Sequence, residues 1–189
     1  MVAFSRFDTR HYPALPVRDG DEAWTETYEA TALDLMDLRL LGRLRTLDWP
    51  NVRRALDLAC GAGRGGAWQK AQGVSQGAGV DFTSGMLARA KDRGVTDAGW
   101  RAMSRPSTSR AAATIWVTML LADEHLADLA PVYREAARRA APSGRFVLVG
   151  FHPWFLMSGA PTHVDRGPGG PVAIESHVHL FADLGRAAP

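Results

Sequence analysis

The segment LDLACGAGRGGAW, residues 56 to 68, constrains the fold of this chain more than any other. A short apolar run, Arg54 to Ala59, passes at once into glycines at positions 61, 63 and 66, in the order G-x-G-x-x-G. A buried strand, a tight glycine turn and a helix N-terminus let the backbone approach a ligand and turn unpaired N–H groups toward it. Inside the apolar run stands an acid, Asp57. A strand that receives a pyrophosphate is normally apolar throughout, whereas a carboxylate there repels phosphate and attracts a cation.

The rest of the chain alternates in the same way. GAGVDF (residues 77 to 82) reads as a second strand ending at Asp81, and Thr83 is placed to cap the helix SGMLARAKDRG, closed by Gly94. GAWQKAQG reads as the first helix, closed by Gly73. IWVTMLLA and GRFVLVGF are further buried strands, with HLADLAPVYREAARRAA as a helix between them. Near-continuous apolar strands separated by helices imply a parallel sheet covered on both faces. The expected fold is α/β, a doubly wound, Rossmann-like, mostly parallel sheet. Ahead of it, Leu33, Met36, Leu40, Leu41 and Leu44 recur at three- and four-residue spacing and predict an N-terminal helical layer with one apolar stripe. Asp81 lies 20 residues after Gly61, where an acid takes the two hydroxyls of a ribose.

Bulk properties narrow the class. With 189 residues, 46% of them hydrophobic, the chain is long enough for one well-buried domain. Its formal charge of +2 comes from scattered arginines and does not indicate a nucleic-acid partner. One cysteine, Cys60, forms no internal disulfide. The opening MVAFSRFDTRHYPALP carries charges and prolines where a signal peptide is apolar, and no segment approaches a membrane span, which points to a cytoplasmic protein.

The three segments LDLACGAGRGG, GVDFTSGMLARA and AAPSGRFVLVGFHP resemble the first, second and late motifs of class I S-adenosylmethionine-dependent methyltransferases over about residues 20 to 155. The resemblance implies S-adenosylmethionine as cofactor. Asp57, Gly61 and Gly63 would then contact its amino-acid part and Asp81 its ribose, Met119 and Leu120 would lie near it at the end of the fourth strand, and Cys60, Ala62, Phe82, Met86 and Tyr28 complete the expected cofactor-binding set. Tyr12, Trp24 and Tyr28 match an aromatic N-terminal lid in small-molecule members, with ordinary helix packing as the alternative. The domain is expected to be single: a helical lid over residues 1 to 50, a cofactor-binding core over 51 to 155 and an acceptor-side region over 156 to 189.

Two departures stand against the family pattern. An acidic or polar residue that holds the adenine should follow the third strand, near residues 97 to 115, yet DAGWRAMSRPSTSRAAATIWV has no apolar strand pattern. Codons compatible with this stretch permit, in a shifted frame, the sequence such an enzyme carries, so residues 96 to 116 read as a local frameshift or as a divergent polar loop. A shifted segment would lack the third strand and weaken the cofactor site. The family's final antiparallel strands are likewise expected to be missing, as though the chain were truncated.

For the acceptor, Trp154, Phe155 and Met157 supply apolar surface, and His125 and His152, each after a strand, are candidate general bases. His152, His163, His177 and His179 lack a compact pair or a carboxylate cluster, and no metal is expected. The reading is methyl transfer to a small-molecule acceptor. A nicotinamide-dependent oxidoreductase, favoured by the glycines and opposed by Asp57, and a non-catalytic methyltransferase remnant are the alternatives.

Overall fold

A computed structural model of the chain describes residues 2–31, 36–94, 100–103 and 114–188. In chain order the strands are β1 (Val2–Ala3), β2 (Ala14–Leu15), β3 (Arg54–Leu58), β4 (Gln76–Val80), β5 (Trp100–Met103), β6 (Thr114–Leu120), β7 (Ala140–Val149), β8 (His163–Asp165), β9 (Pro171–Ile174) and β10 (His177–Val178). The helices are α1 (Val17–Trp24), α2 (Tyr28–Thr31), α3 (Met36–Arg43), α4 (Arg64–Ala71), α5 (Ser84–Asp92), α6 (Ala130–Arg139), α7 (Pro153–Met157) and α8 (Phe181–Ala187). They form two compact units. One gathers Met1–Ala32, Leu121–Arg134 and Gly150–Pro189; the other gathers Leu33–Leu120 and Glu135–Val149.

The second unit is the expected doubly wound sheet. Its five strands run parallel in the order β5-β4-β3-β6-β7. The chain moves outward from β3 through β4 to β5, then returns to lay β6 on the other side of β3. This reversal puts the topological switch point between β3 and β6, and ligands of such sheets bind beyond the carboxyl ends there. Under the sheet lies a core of Leu38, Leu41, Trp49, Val52, Ala55, Val74 and Trp116. Trp49 holds it together with an edge-on contact to Trp68 and a tilted one to Trp116, with ring centroids 5.0 and 5.5 Å apart. Such aromatic pairs contribute about 0.5–1.5 kcal/mol beyond their buried area.

Several sequence expectations change here. The predicted stripe is met only at Leu41: on α3 the buried residues are Asp37, Leu38 and Leu41, while Met36, Leu40 and the following Leu44 are exposed. Asp37 turns the helix, because its carboxylate accepts a 2.7 Å bond from Arg64 and so faces inward beside Leu38 and Leu41. Leu33 lies outside the described residues. Helix α4 begins at Arg64, two residues before the expected start, so that Gly65 and Gly66 are helical. Pro142, Ser143 and Gly144 lie within β7, where the register is irregular between the pairs Thr114 with Ala140 and Trp116 with Arg145. A third strand is present after all: Trp100–Met103 pairs in parallel with Gly77–Val80. Backbone hydrogen bonds to β4 form there without an apolar side-chain pattern. The other positions expected to carry the adenine contact, 97–99 and 104–113, lie outside the described residues.

The first unit is built from short pieces. Strand β9 is the centre of a three-stranded sheet, parallel to β2 and antiparallel to β8, while β1 pairs with β10. Val164, Val172 and Ile174 make its core, packed by Leu15, Val17 and Trp24. Gly20 is needed there, since a Cβ would fall 2.8 Å from Ile174. A second cluster joins Phe4, Leu156 and Val178. The antiparallel pairs of the described residues lie in these small sheets, and the large sheet ends on β7. No helix among the described residues is long and apolar enough to cross a membrane.

Candidate functional site

The carboxyl end of β3 is a strained turn. Ala59 has φ +52°, Gly61 φ +50° and Gly63, the residue before α4, φ +77°. A non-glycine residue held in this region costs of order 1–3 kcal/mol, and such positions cluster at ligand sites. At Gly61 a Cβ would meet nothing within 4 Å, so this side of the turn is open. The two neighbouring glycines that face inward are different. At Gly65 a Cβ would fall 2.7 Å from Asp57 Oδ2 and 2.8 Å from Leu120 Cδ1, and at Gly79 it would fall 2.6 Å from Cys60 Sγ.

Asp81 braces the turn from the end of β4. Its Oδ2 accepts the Gly61 N–H at 2.8 Å and its Oδ1 the Thr83 N–H at 2.8 Å. Thr83 stands at the N-cap of α5 as expected, but its hydroxyl makes no cap bond, and the Asp81 carboxylate caps instead. Each carboxylate oxygen has a second lone pair, so Asp81 keeps acceptor capacity for a ligand hydroxyl.

Asp57 is only 2% exposed. Burial foremost pushes its pKa up from 3.8 to about 7; the hydrogen bond from Thr118 opposes this, Asp37 and Asp81 add to it, and Arg64 opposes it. Burial, with Asp57 and Asp81 adding, holds the Cys60 thiol well above its ordinary range, so it is a neutral neighbour. A buried carboxylate that titrates near neutrality, beside two more acids and one arginine, is a site that gains by receiving a cation.

The large-sheet unit thus brings together Asp57, Cys60, Gly61, Ala62, Gly63, Asp81, Phe82, Met86, Met119 and Leu120, on the ends of β3, β4 and β6 and the first turns of α4 and α5. Phe82 is 39% exposed, whereas Ala62, Met86 and Met119 are buried. Tyr28, His125 and His152 belong to the other unit. Tyr28 packs edge-on to Trp24 with ring centroids 5.0 Å apart, and Tyr12 tilts against His163. His125 Nδ1 donates to the Glu175 carbonyl at 2.9 Å, which leaves Nε2, 3.7 Å from Glu124 Oε1, as the unprotonated nitrogen of the neutral ring. His152 Nδ1 accepts the Trp154 N–H at 3.1 Å and caps α7. Trp154, Phe155 and Met157 are exposed.

Sequence reasoning missed four members of the site. Arg64 and Asp37 form an ion pair across 27 residues, and Gln69 and Thr118 bond across 49; only the placement of α3 and β6 reveals either. Arg64 lay in full view inside the glycine turn, where a lone cation beside buried acids was the available signal.

Comparison with known proteins agrees with this fold. Residues 56–148 match the family model described as a methyltransferase domain. Among solved structures, a DhpI complex with SAH is 20% identical, with a TM-score of 0.65 over 90% of this chain and 82% of that one. A complex between the Haloferax volcanii Trm112 methyltransferase activator and a putative methyltransferase gives a match that is 20% identical with a TM-score of 0.67 over 90% of this chain and 73% of that one. An S-adenosylmethionine-dependent methyltransferase of Mesorhizobium loti is 21% identical with a TM-score of 0.56 over 75% and 74%. A sequence comparison with curated proteins gives no match. None of these comparisons supports the nicotinamide reading. The glycine turn, the five parallel strands and the match over residues 56–148 make this chain similar to the methyltransferase-domain family and give it the Rossmann-like fold of class I S-adenosylmethionine-dependent methyltransferases.

Proposed function

We propose that the chain binds S-adenosylmethionine at the carboxyl ends of β3 and β4 and transfers its methyl group to a small-molecule acceptor. The observation that carries this reading is Asp57, a buried carboxylate beside an open glycine turn. The donor set suits the group: Asp57 offers a negative charge to the cationic amino-acid end, and Asp81 offers lone pairs to ribose hydroxyls. Phosphate would meet three acids there, Asp37, Asp57 and Asp81, against one arginine. When bound, S-adenosylmethionine supplies an electrophilic methyl carbon on sulfur. Displacement at such a carbon demands alignment and exclusion of water more than acid–base chemistry.

On the acceptor side, Trp154, Phe155 and Met157 offer apolar surface, and His125 is the candidate base. A neutral histidine oriented through Nδ1 presents an acceptor at Nε2, the arrangement that proton removal from a hydroxyl requires. Calorimetric titration with S-adenosylhomocysteine, with NAD in parallel, tests the reading. Binding of S-adenosylhomocysteine alone supports it. A folded chain that binds neither compound is a non-catalytic remnant.

A further inference from the structure

Three buried side chains from three elements form one hydrogen-bond chain that ends on Asp57. Gln69 Nε2, on α4, donates to Thr118 Oγ1, on β6, at 2.8 Å, and Thr118 Oγ1 donates to Asp57 Oδ1, on β3, at 2.6 Å. Gln69 and Thr118 are 0% exposed. Nothing in the glycine-turn pattern singles out either residue.

The direction of this chain is its informative property. A threonine hydroxyl has one proton and two lone pairs. With the Gln69 amide on one lone pair, the proton has Asp57 Oδ1 at 2.6 Å and the Leu56 carbonyl at 3.5 Å in reach, and the shorter bond turns it to Asp57, a bond that is stronger when that oxygen belongs to a carboxylate. The opposite direction has Asp57 as a carboxylic acid donating to Thr118, whose own proton then goes to the Leu56 carbonyl, 3.5 Å away, or to Gln69 Oε1 after the amide turns over. Among the described residues Gln69 Oε1 is buried without a hydrogen-bond partner. An amide that leaves its oxygen unsatisfied gives up a bond worth about 1–3 kcal/mol. Turning the amide over would give Oε1 a partner at the expense of the Nε2 bond and of the proton that Thr118 directs to Asp57. The other groups acting on Asp57 are Asp37 from α3 and Asp81 from the end of β4, which oppose its charge, and Arg64 from α4, which favours it; the Cys60 thiol beside them is neutral.

We propose that Gln69 and Thr118 are positioning residues: by fixing the direction of this chain they make Asp57 present a carboxylate, rather than a carboxylic acid, to the cationic end of the cofactor. The proposal rests on the function assigned above, but it is tested first in the unliganded protein. The carboxyl carbon of Asp57 is titrated by NMR, its signal identified by loss in Asp57→Asn, in the wild type and in Thr118→Val, Thr118→Ser and Gln69→Leu. A hydrogen bond to a charged group corresponds to a midpoint shift of about one to two pH units. Thr118→Val and Gln69→Leu should move the midpoint upward, and Thr118→Ser should leave it near the wild type. The affinity for S-adenosylhomocysteine at pH 7 should fall roughly five- to fiftyfold in the first two variants, following the ionised fraction, and recover by about pH 9.5. A merely structural defect would not recover with pH. An unchanged midpoint in Thr118→Val and Gln69→Leu overturns the proposal, and if the valine variant does not fold, the leucine variant alone decides. Absence of S-adenosylhomocysteine binding by the wild type at every pH sinks the assigned function instead, while the titration still decides the role of the chain.

Discussion

Replacing Asp57 by asparagine should stabilise this protein at pH 8 and abolish its binding of S-adenosylhomocysteine. In the unfolded chain the carboxyl titrates near 3.8; in the folded one, burial raises it to about 7. Between these values the folded state keeps a proton that the unfolded state has released, so stability falls as pH rises through the window. The whole gap corresponds to about 4 kcal/mol. Roughly 1.5 kcal/mol of it has gone by pH 5, because the unfolded carboxyl is then already ionised, and most of the remainder goes between pH 5 and 8. Asparagine keeps an oxygen to accept from Thr118 and never ionises. Its advantage over the wild type should widen by about 2–3 kcal/mol from pH 5 to pH 8, seen as a growing difference in urea or thermal midpoints. An advantage that is constant with pH, or absent at pH 8, would refute the claim that Asp57 is held as a costly buried charge. Loss of binding in the same variant would mean that the site keeps this charge for its ligand at the expense of stability.

Other substitutions probe the supports. Gly65→Ala should destabilise by about 1–2 kcal/mol, since a Cβ 2.7 Å from Asp57 Oδ2 outweighs the gain of about 1 kcal/mol in helix propensity. Gly61→Ala, with open space but φ +50°, should lose only about 1 kcal/mol, and a reversed ranking in denaturant would contradict the geometry. Arg64→Met leaves the carboxylate of Asp37, 1% exposed, without its 2.7 Å partner and should destabilise the protein by about 3–5 kcal/mol in the same assay. In the smaller-sheet unit, burial and the neighbouring Asp123 raise Glu124 from 4.5 to about 8, so that unit should lose stability as pH rises across this range. Glu124→Gln should flatten that dependence, read from hydrogen exchange at Val172–Ile174.

What was legible in the sequence was local. The run from Arg54 to Leu58, the glycines at 61 and 63, Asp81 at the end of the next strand and Gly94 after α5 are dictated by neighbours a few residues away, and each stands where its pattern placed it. What was illegible depends on sheet order. Thr118 meets Asp57 across 61 residues only because β6 returns beside β3, and no periodicity announces that return. The stripe of α3 failed for a related reason. Hydrophobic spacing grouped Met36, Leu40 and Leu44 with Leu41, but the face that packs into the core carries Leu38 and Leu41, with Asp37 buried beside them on its ion pair with Arg64. Strand β5 was missed because its main chain pairs with β4 without an apolar pattern, and the two-residue strands β1, β2 and β10 are too short for any period to register.

The two histidines separate on which ring nitrogen is left to react. His125 gives its Nδ1 proton to the Glu175 carbonyl, so the neutral ring has its lone pair at Nε2. His152 uses its Nδ1 lone pair to accept from Trp154, so the neutral ring has a proton at Nε2 and nothing there to receive another. Of the two, only His125 can take a proton from an acceptor hydroxyl without first surrendering a structural bond. Once an acceptor is found, His125→Ala should lower kcat by about 10²–10⁴. His152→Ala should lose about 1 kcal/mol of stability with its cap and keep kcat within a few-fold. The opposite result, with kcat lost at His152 and kept at His125, would mean that α7 gives up its cap in the working complex and that His152 is the base.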